Sequence, residues 1–335
     1  MTRKIPATVI TGFLGAGKTT LVRHLLAHNQ GRRIALIVNE FGDLGIDGEL
    51  LAACGATGCR ADDIIELANG CLCCTVADEF LPTMQSLLDR ADPPEHIVIE
   101  TSGLALPKPL VKAFQWPEIR SRVTVDGVVA VVDSPAAAAG RFASTAAERA
   151  RPDHDNPLEE VFEDQLACAD MVLLNKSDLM EPAALAVFKA AIEARLRPGI
   201  KVTATRQGAM DPLVVLGLSA AAEDDLDRRP SHHDLADGHD HDDFESFAVH
   251  LPIIADPAAL ELRLLEAIAG HDILRLKGFL AVTGKPARAV VQAVGTRLER
   301  YFDRPWRADE ARLSRLVVIG RKGLDRAAIE AMVRG

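Results

Sequence analysis

Near the amino terminus, Gly12, Phe13, Leu14, Gly15, Ala16, Gly17, Lys18 and Thr19 fit the spacing G-x-x-x-x-G-K-[ST]. This is the spacing of a loop that wraps phosphates, and it carries that meaning when a strand precedes it and a helix follows. Glycines at 12, 15 and 17 let the backbone turn its N–H groups inward, and Ala16 is small enough not to obstruct them. Lys18 brings positive charge to the outer phosphates and is the first catalytic candidate; the Thr19 hydroxyl is placed to ligate Mg2+. Thr20 continues into the helix, whose N-terminus favours anions. The expected ligand is therefore a nucleoside triphosphate with magnesium.

Two further constellations refine that ligand. Asn175, Lys176, Ser177 and Asp178 follow an apolar run and match N-K-x-D. A carboxylate at 178 can accept from guanine N1 and the exocyclic amine, whereas adenine would leave it unpaired. The Lys176 stem can cover the base. Ala204, Thr205 and Arg206 are expected to offer backbone donors to the guanine carbonyl. The expected nucleotide is GTP. Glu100 ends the apolar run 96–100 and is placed to hold the magnesium through a water, and Gly103 is placed to turn its N–H toward the γ-phosphate. After the run 33–39, residues 39–43 (NEFGD) form a candidate switch loop, with Glu40 and Asp43 as possible ligands or water-orienting groups. A plain acidic loop is the alternative for Asp43. No arginine finger or water-orienting glutamine is evident, so slow intrinsic turnover is expected.

Cysteines form the third constellation. Of six, Cys71, Cys73 and Cys74 fall within four residues. Thiolates bind zinc and other borderline or soft divalent metals. In an extended segment Cys71 and Cys73 project to one side, and Cys74 joins them if the chain turns. Three thiolates leave a fourth position for Glu40, a water or a receiving partner. Redox chemistry and simple packing are the alternatives. Cys54, Cys59 and Cys168 are expected to be structural, and His24, His96 and His271 structural or surface. His232, His233, His239 and His241 lie in an acidic stretch, either a metal-collecting tract or a solvated linker.

The elements that must position these residues follow from the apolar runs. Strands are expected at 5–11, 33–39, 96–100, 125–133, 170–175 and 200–204, and helices at 19–28, 80–89, 107–113 and 182–195. Alternation of this kind implies an α/β fold, a P-loop NTPase parallel sheet with helices on both faces. Composition shifts to Asp, Glu and His over 221–243, and a smaller α+β domain is expected over 244–335, leaving 1–220 for the nucleotide domain. In the smaller domain strands are expected at 244–250, 273–282, 289–293 and 313–319, with helices at 258–269 and 324–333. The formal net charge of −10 argues against nucleic acid or anionic membrane as a partner. No apolar run reaches the roughly 18 residues of a membrane span, and residues 1–6 do not resemble a signal peptide, so a cytoplasmic location is expected.

With those residues in view, the chain resembles the CobW family of P-loop GTPases. The resemblance rests on GFLGAGKTT at 12–20, NEFG at 39–42, NGCLCC at 69–74, ETSGLALP at 100–107 and NKSD at 175–178, and it spans the whole chain. It implies a GTP-hydrolysing metallochaperone whose cargo metal is held by the C-x-C-C cysteines, here Cys71, Cys73 and Cys74. The stretches TVADEFLPTM and IETSGLALPKPLVKAFQWPEIRSRVTVDGVVAVVD look closest to the branch of aerobic cobalamin biosynthesis. That implies Co2+ delivered to a cobaltochelatase, or to another metal-receiving protein. Zn2+ is the rival cargo within the family. A GTP-dependent regulatory switch with structural cysteines is the rival from another class.

Overall fold

The computed structural model describes residues 4–29, 31–39, 64–67, 80–140, 157–231, 244–294, 297–307 and 310–335. They fall into two compact units, one within 4–231 and the other within 244–335.

The first unit is built on a seven-stranded sheet in the order β3-β2-β4-β1-β5-β6-β7. Its strands are β1 (Ile5–Thr11), β2 (Ile34–Asn39), β3 (Ile64–Leu67), β4 (His96–Glu100), β5 (Val123–Asp133), β6 (Met171–Asn175) and β7 (Lys201–Ala204). Every pairing is parallel. Strands buried on both faces read as unbroken apolar runs rather than alternation. The fully buried IALIVN of β2 and MVLLN of β6 are such runs. Around them lie α1 (Lys18–Ala27), α2 (Leu81–Leu88), α3 (Pro107–Ala113), α4 (Ser134–Ala138), α5 (Pro157–Cys168) and α6 (Pro182–Glu193). Leu87, Val111, Phe114 and Phe80 from the helical layer close on Val9, Ile37 and Ile99 of the sheet.

Parallel strands end on one edge. Because β1 lies between β4 and β5, and β5 between β1 and β6, the loops leaving these four strands open side by side. The pairs Ile10 with Glu100, Thr11 with Ala130, and Asp133 with Asn175 fix the register at that edge.

Six of the seven strands fall where the apolar runs place them. β3 was not expected, since IIEL is four residues long and carries a glutamate. α5 was not expected either: four acidic residues in PLEEVFEDQLAC mask an apolar face of Leu158, Val161, Phe162 and Leu166.

The second unit is a five-stranded antiparallel sheet in the order β11-β10-β9-β12-β8. It comprises β8 (Phe244–Leu251), β9 (Ile273–Leu280), β10 (Ala287–Val294), β11 (Arg297–Pro305) and β12 (Ser314–Arg321), with α7 (Pro257–Gly270) and α8 (Arg326–Arg334). Leu260, Leu264, Ile329 and Val333 of the helices pack on Leu276, Val291 and Val318. Asp256 and Asp325 cap the two helices through backbone N–H groups in their first turns. β11, an edge strand, escaped the sequence reading because RLERYFDRP is largely charged. Arg288 of β10 is fully buried. It is held by Asp303 at 2.5 Å and Glu310 at 3.4 Å, and lies 3.5 Å above the Phe279 ring.

Candidate nucleotide site

The loop between β1 and α1 bends through three glycines at φ 137°, 71° and 103° (Gly12, Gly15, Gly17). Such angles strain any other residue. Two of the glycines are also required by space. A Cβ on Gly12 would stand 2.1 Å from the Val131 carbonyl oxygen of β5, and one on Gly17 would stand 2.3 Å from Nδ2 of Asn175. The Ala16 N–H donates to the Phe13 carbonyl at 3.2 Å and closes the turn. Lys18 is nearly buried, its ammonium donating to the carbonyls of Gly12 (2.7 Å) and Phe13 (3.3 Å). The cation therefore lies along the loop, at the N-terminus of α1. Thr20 is exposed on the first turn of the helix.

Opposite, β4 ends in Glu100, which is buried. Thr19 Oγ1 donates to Glu100 Oε1 at 2.7 Å. A hydroxyl and a carboxylate oxygen in contact, beside the phosphate loop, form a donor set suited to a hard divalent cation. Thr101 follows, its N–H on the Ile10 carbonyl and its hydroxyl 3.2 Å from Thr11 Oγ1. Ser102 Oγ and Asn39 Nδ2 are buried, with no hydrogen-bond partner among the described residues. Register sets Val38 against Glu100, so Asn39 stands beside Thr101 at the ligand edge. Gly103 lies under the phosphate loop, and a Cβ there would meet Leu14 at 2.4 Å.

The base side is organised by Asn175. Its Nδ2 donates to the Ala16 carbonyl (2.8 Å) and its Oδ1 accepts from the Gly208 N–H (3.0 Å). One buried amide thus ties the phosphate loop to the loop after β7. Lys176 sits at φ 58° and its ammonium pairs with Asp133 Oδ2 at 2.9 Å. Asp133 Oδ1 caps α4 through the Ala136 N–H, so the strand-end carboxylate is held at both oxygens. Ser177 donates through its N–H and its hydroxyl to the Thr205 carbonyl. Asp178 is exposed at the rim. One expectation needs correction: the Thr205 N–H donates to the Leu174 carbonyl at 2.9 Å, extending the β6–β7 ladder. It is not available to a guanine carbonyl.

The sequence does not point to Asp133, which holds Lys176. Its signal is topological, a carboxylate ending the strand between the phosphate strand β1 and the base strand β6. Cys168 is buried as expected. Burial pushes its thiol up to about 12, with the nearby Arg229 guanidinium opposing, so it is not a thiolate ligand at neutral pH. His96 is buried as well, one ring nitrogen 2.8 Å from Thr8 Oγ1. Glu40, Asp43, Cys54, Cys59, Cys71, Cys73, Cys74 and the histidines 232, 233, 239 and 241 lie outside the described residues. Among the described residues no helix is long and apolar enough to cross a membrane.

A parallel sheet with a glycine-rich phosphate loop after its central strand, a carboxylate facing the loop's threonine and a bracing N-K-x-D segment define a P-loop nucleotide-binding protein. Comparison with known families narrows this. The model described as CobW/HypB/UreG, nucleotide-binding domain, matches residues 6–203. The model described as the cobalamin synthesis protein cobW C-terminal domain matches 244–335. The chain is 54% identical to the zinc chaperone CobW of Sinorhizobium sp, covering 98% of this chain and 96% of that protein. It is 55% identical to the zinc chaperone CobW of Pseudomonas aeruginosa (99% and 91%) and 34% identical to the zinc chaperone YjiA of Escherichia coli (94% and 94%). The chain belongs to the CobW family.

Proposed function

We propose that this protein is a GTP-hydrolysing metallochaperone in which the nucleotide controls the hold on a cargo metal. The observation that carries the reading is the 2.7 Å contact between Thr19 and Glu100, set beside Lys18 and joined to the base side through Asn175. Lys18 is positioned to exchange its loop carbonyls for β- and γ-phosphate oxygens. Backbone N–H groups of 15–19 cradle the phosphates. Thr19 and Glu100 would hold the magnesium ion, which when bound would supply positive charge against that developing on the phosphates. The Gly103 N–H orients the γ-phosphate. Lys176, steadied by Asp133, lays its alkyl stem along the base, and Asp178 accepts from guanine N1 and the exocyclic amine.

Cys71, Cys73 and Cys74 are the proposed cargo ligands, with Glu40 as the fourth. Zinc as cargo draws support from the names of relatives 54–55% identical over nearly the whole chain. Cobalt, delivered to a cobaltochelatase, draws support from the sequence likeness to the cobalamin branch. In either case γ-phosphate contacts with the candidate switch loop 39–43 would couple Glu40 to the cysteines and tighten the metal site, and hydrolysis would loosen it.

Linkage then requires metal and GTP to strengthen each other's binding by the same factor. Competitive titration with buffered Zn(II) and Co(II), under Mg-GTP analogue, Mg-GDP and no nucleotide, tests both parts. The expected result is at least about fivefold tighter binding with the GTP analogue, the lower end of usual allosteric coupling. Equal affinities in the two nucleotide states would sink the gating. Metal binding unchanged in the Cys73→Ser, Cys74→Ser double variant would favour a regulatory switch with structural cysteines.

A further inference from the structure

Gln165 sits on α5, far in sequence from every phosphate motif, and its side chain is 1% exposed. Its Nε2 donates to the carbonyls of Gly103 (3.2 Å) and Ala105 (3.3 Å). These two residues belong to the turn that follows Glu100, closed by the Ala105 N–H on the Ser102 carbonyl. The turn is therefore gripped from two sides. Leu14 of the phosphate loop fills the space a Gly103 side chain would take, and the Gln165 amide holds the Gly103 and Ala105 carbonyls.

Gln165 Oε1 is buried with no hydrogen-bond partner among the described residues. An orphaned buried acceptor is destabilising, and a leucine or methionine would avoid it. Among the described residues only the donor half of the amide has a partner, so the donor is the half that acts on the turn. Holding the Gly103 carbonyl restrains the 103–104 peptide plane, and together with the Ala105–Ser102 bond that closes the turn it narrows the directions open to the Gly103 N–H. A glycine has no side-chain restraint of its own to do this.

We propose that Gln165 is a positioning residue for nucleotide hydrolysis: by clamping Gly103 and Ala105 it aims the Gly103 N–H at the γ-phosphate. The proposal rests on the reading of this site as a GTPase centre. It makes α5 responsive to the γ-phosphate, because any shift of the 102–105 turn on losing that group changes what Gln165 holds.

The test compares wild type with Gln165→Met, which keeps length and loses the donor, and Gln165→His, which keeps an N–H of similar reach. Affinities for a non-hydrolysable GTP analogue and for GDP, steady-state kcat and KM, and melting temperature are measured on the full chain. Wild type must bind both nucleotides and turn over GTP; failure there overturns the GTPase reading itself. Given that, Q165M is expected to lower kcat about tenfold and to compress the analogue-to-GDP affinity ratio, with GDP affinity within about twofold. Q165H is expected to recover most of the ratio. A Q165M protein with wild-type ratio and kcat and only a lower melting temperature would overturn the proposal. If Q165M does not fold, a folded Q165H with a wild-type ratio supports the proposal, and one with a ratio collapsed as far as expected for Q165M overturns it.

Discussion

On the proposed reading, base recognition is divided between Asp178, a directed acceptor, and Lys176, a covering stem. Lys176 is anchored to Asp133, whose carboxylate is 3% exposed, while Asp178 is left at the rim. Replacing the acceptor with a donor should therefore change which base fits without disturbing the anchor. Asp178→Asn is expected to weaken GTP by about 100-fold or more, as a site built around one hydrogen-bond pattern rejects its mismatch. It should gain affinity for xanthosine triphosphate, whose C2 carbonyl accepts where guanine donates. Calorimetric titration with both nucleotides checks it, and an unchanged GTP affinity would remove Asp178 from the site.

The sequence makes this scale legible unevenly. Lys18, Thr19, Glu100 and Asp178 can be proposed from the sequence because each sits at a fixed offset from a glycine or a strand end. Asp133 and Gln165 are not. Each pairs with a residue distant along the chain, Lys176 at 43 residues and Gly103 at 62, and no local pattern marks such a pairing. Thr205 was misassigned for a similar reason. Whether a backbone N–H is free depends on where the β6–β7 ladder stops, and that lies within the uncertainty of a strand boundary.

Elements carry the next constraints. β4 begins with His96 and ends with Glu100, so the strand that presents the acidic end is pinned at its start by a buried imidazole. Burial above all holds His96 down at about 4 against its ordinary 6.5, with Asp126 opposing and Arg32 adding to the effect. The unfolded chain binds this proton near pH 6.5 and the folded one only near pH 4. Stability from this group is thus full above about 6.5 and is lost as pH falls from there toward 4. The loss amounts to roughly 3 kcal/mol. Urea unfolding at pH 7.5 and 4.5 should show it, and His96→Gln should flatten the difference. An equally steep acid limb in the variant would exclude His96 as its source.

In the second unit Arg288 joins β10 to β11 through Asp303. Removing one partner from a buried pair leaves the other charge uncompensated, which typically costs about 3–5 kcal/mol. Arg288→Met should destabilise the unit by that order. The double variant with Asp303→Asn should be less damaged than the sum of the single ones, as measured by chemical unfolding. Additive losses would mean that the pair contributes nothing specific. Strand assignments were legible wherever burial on both faces makes a run apolar, as in β2 and β6. They failed at β3 and β11, where shortness or charge hides the pattern.

At the scale of the molecule, one unit carries the parallel sheet with its P-loop and the other an antiparallel sheet backed by two helices. Both architectures were foreseeable from composition and periodicity. The residues proposed to carry the cargo metal, by contrast, were legible only as a cysteine spacing. Thiolate spacing gives the class of metal and not its identity, because zinc and cobalt accept the same ligands. The coupled titration under three nucleotide conditions is accordingly the whole-molecule test, since it reads gating and metal preference together.

Asn175 has a consequence for how this chain can vary. Its amide occupies the space that a side chain at position 17 would fill, while holding Ala16 and Gly208. Positions 17 and 175 are therefore not independent letters. Gly17→Ala is excluded while the asparagine is present, and shrinking residue 175 to make room releases both loops together. A saturation library over the two codons, selected for nucleotide binding, should return the glycine–asparagine pair almost alone. Two positions 158 residues apart would then behave as one heritable unit.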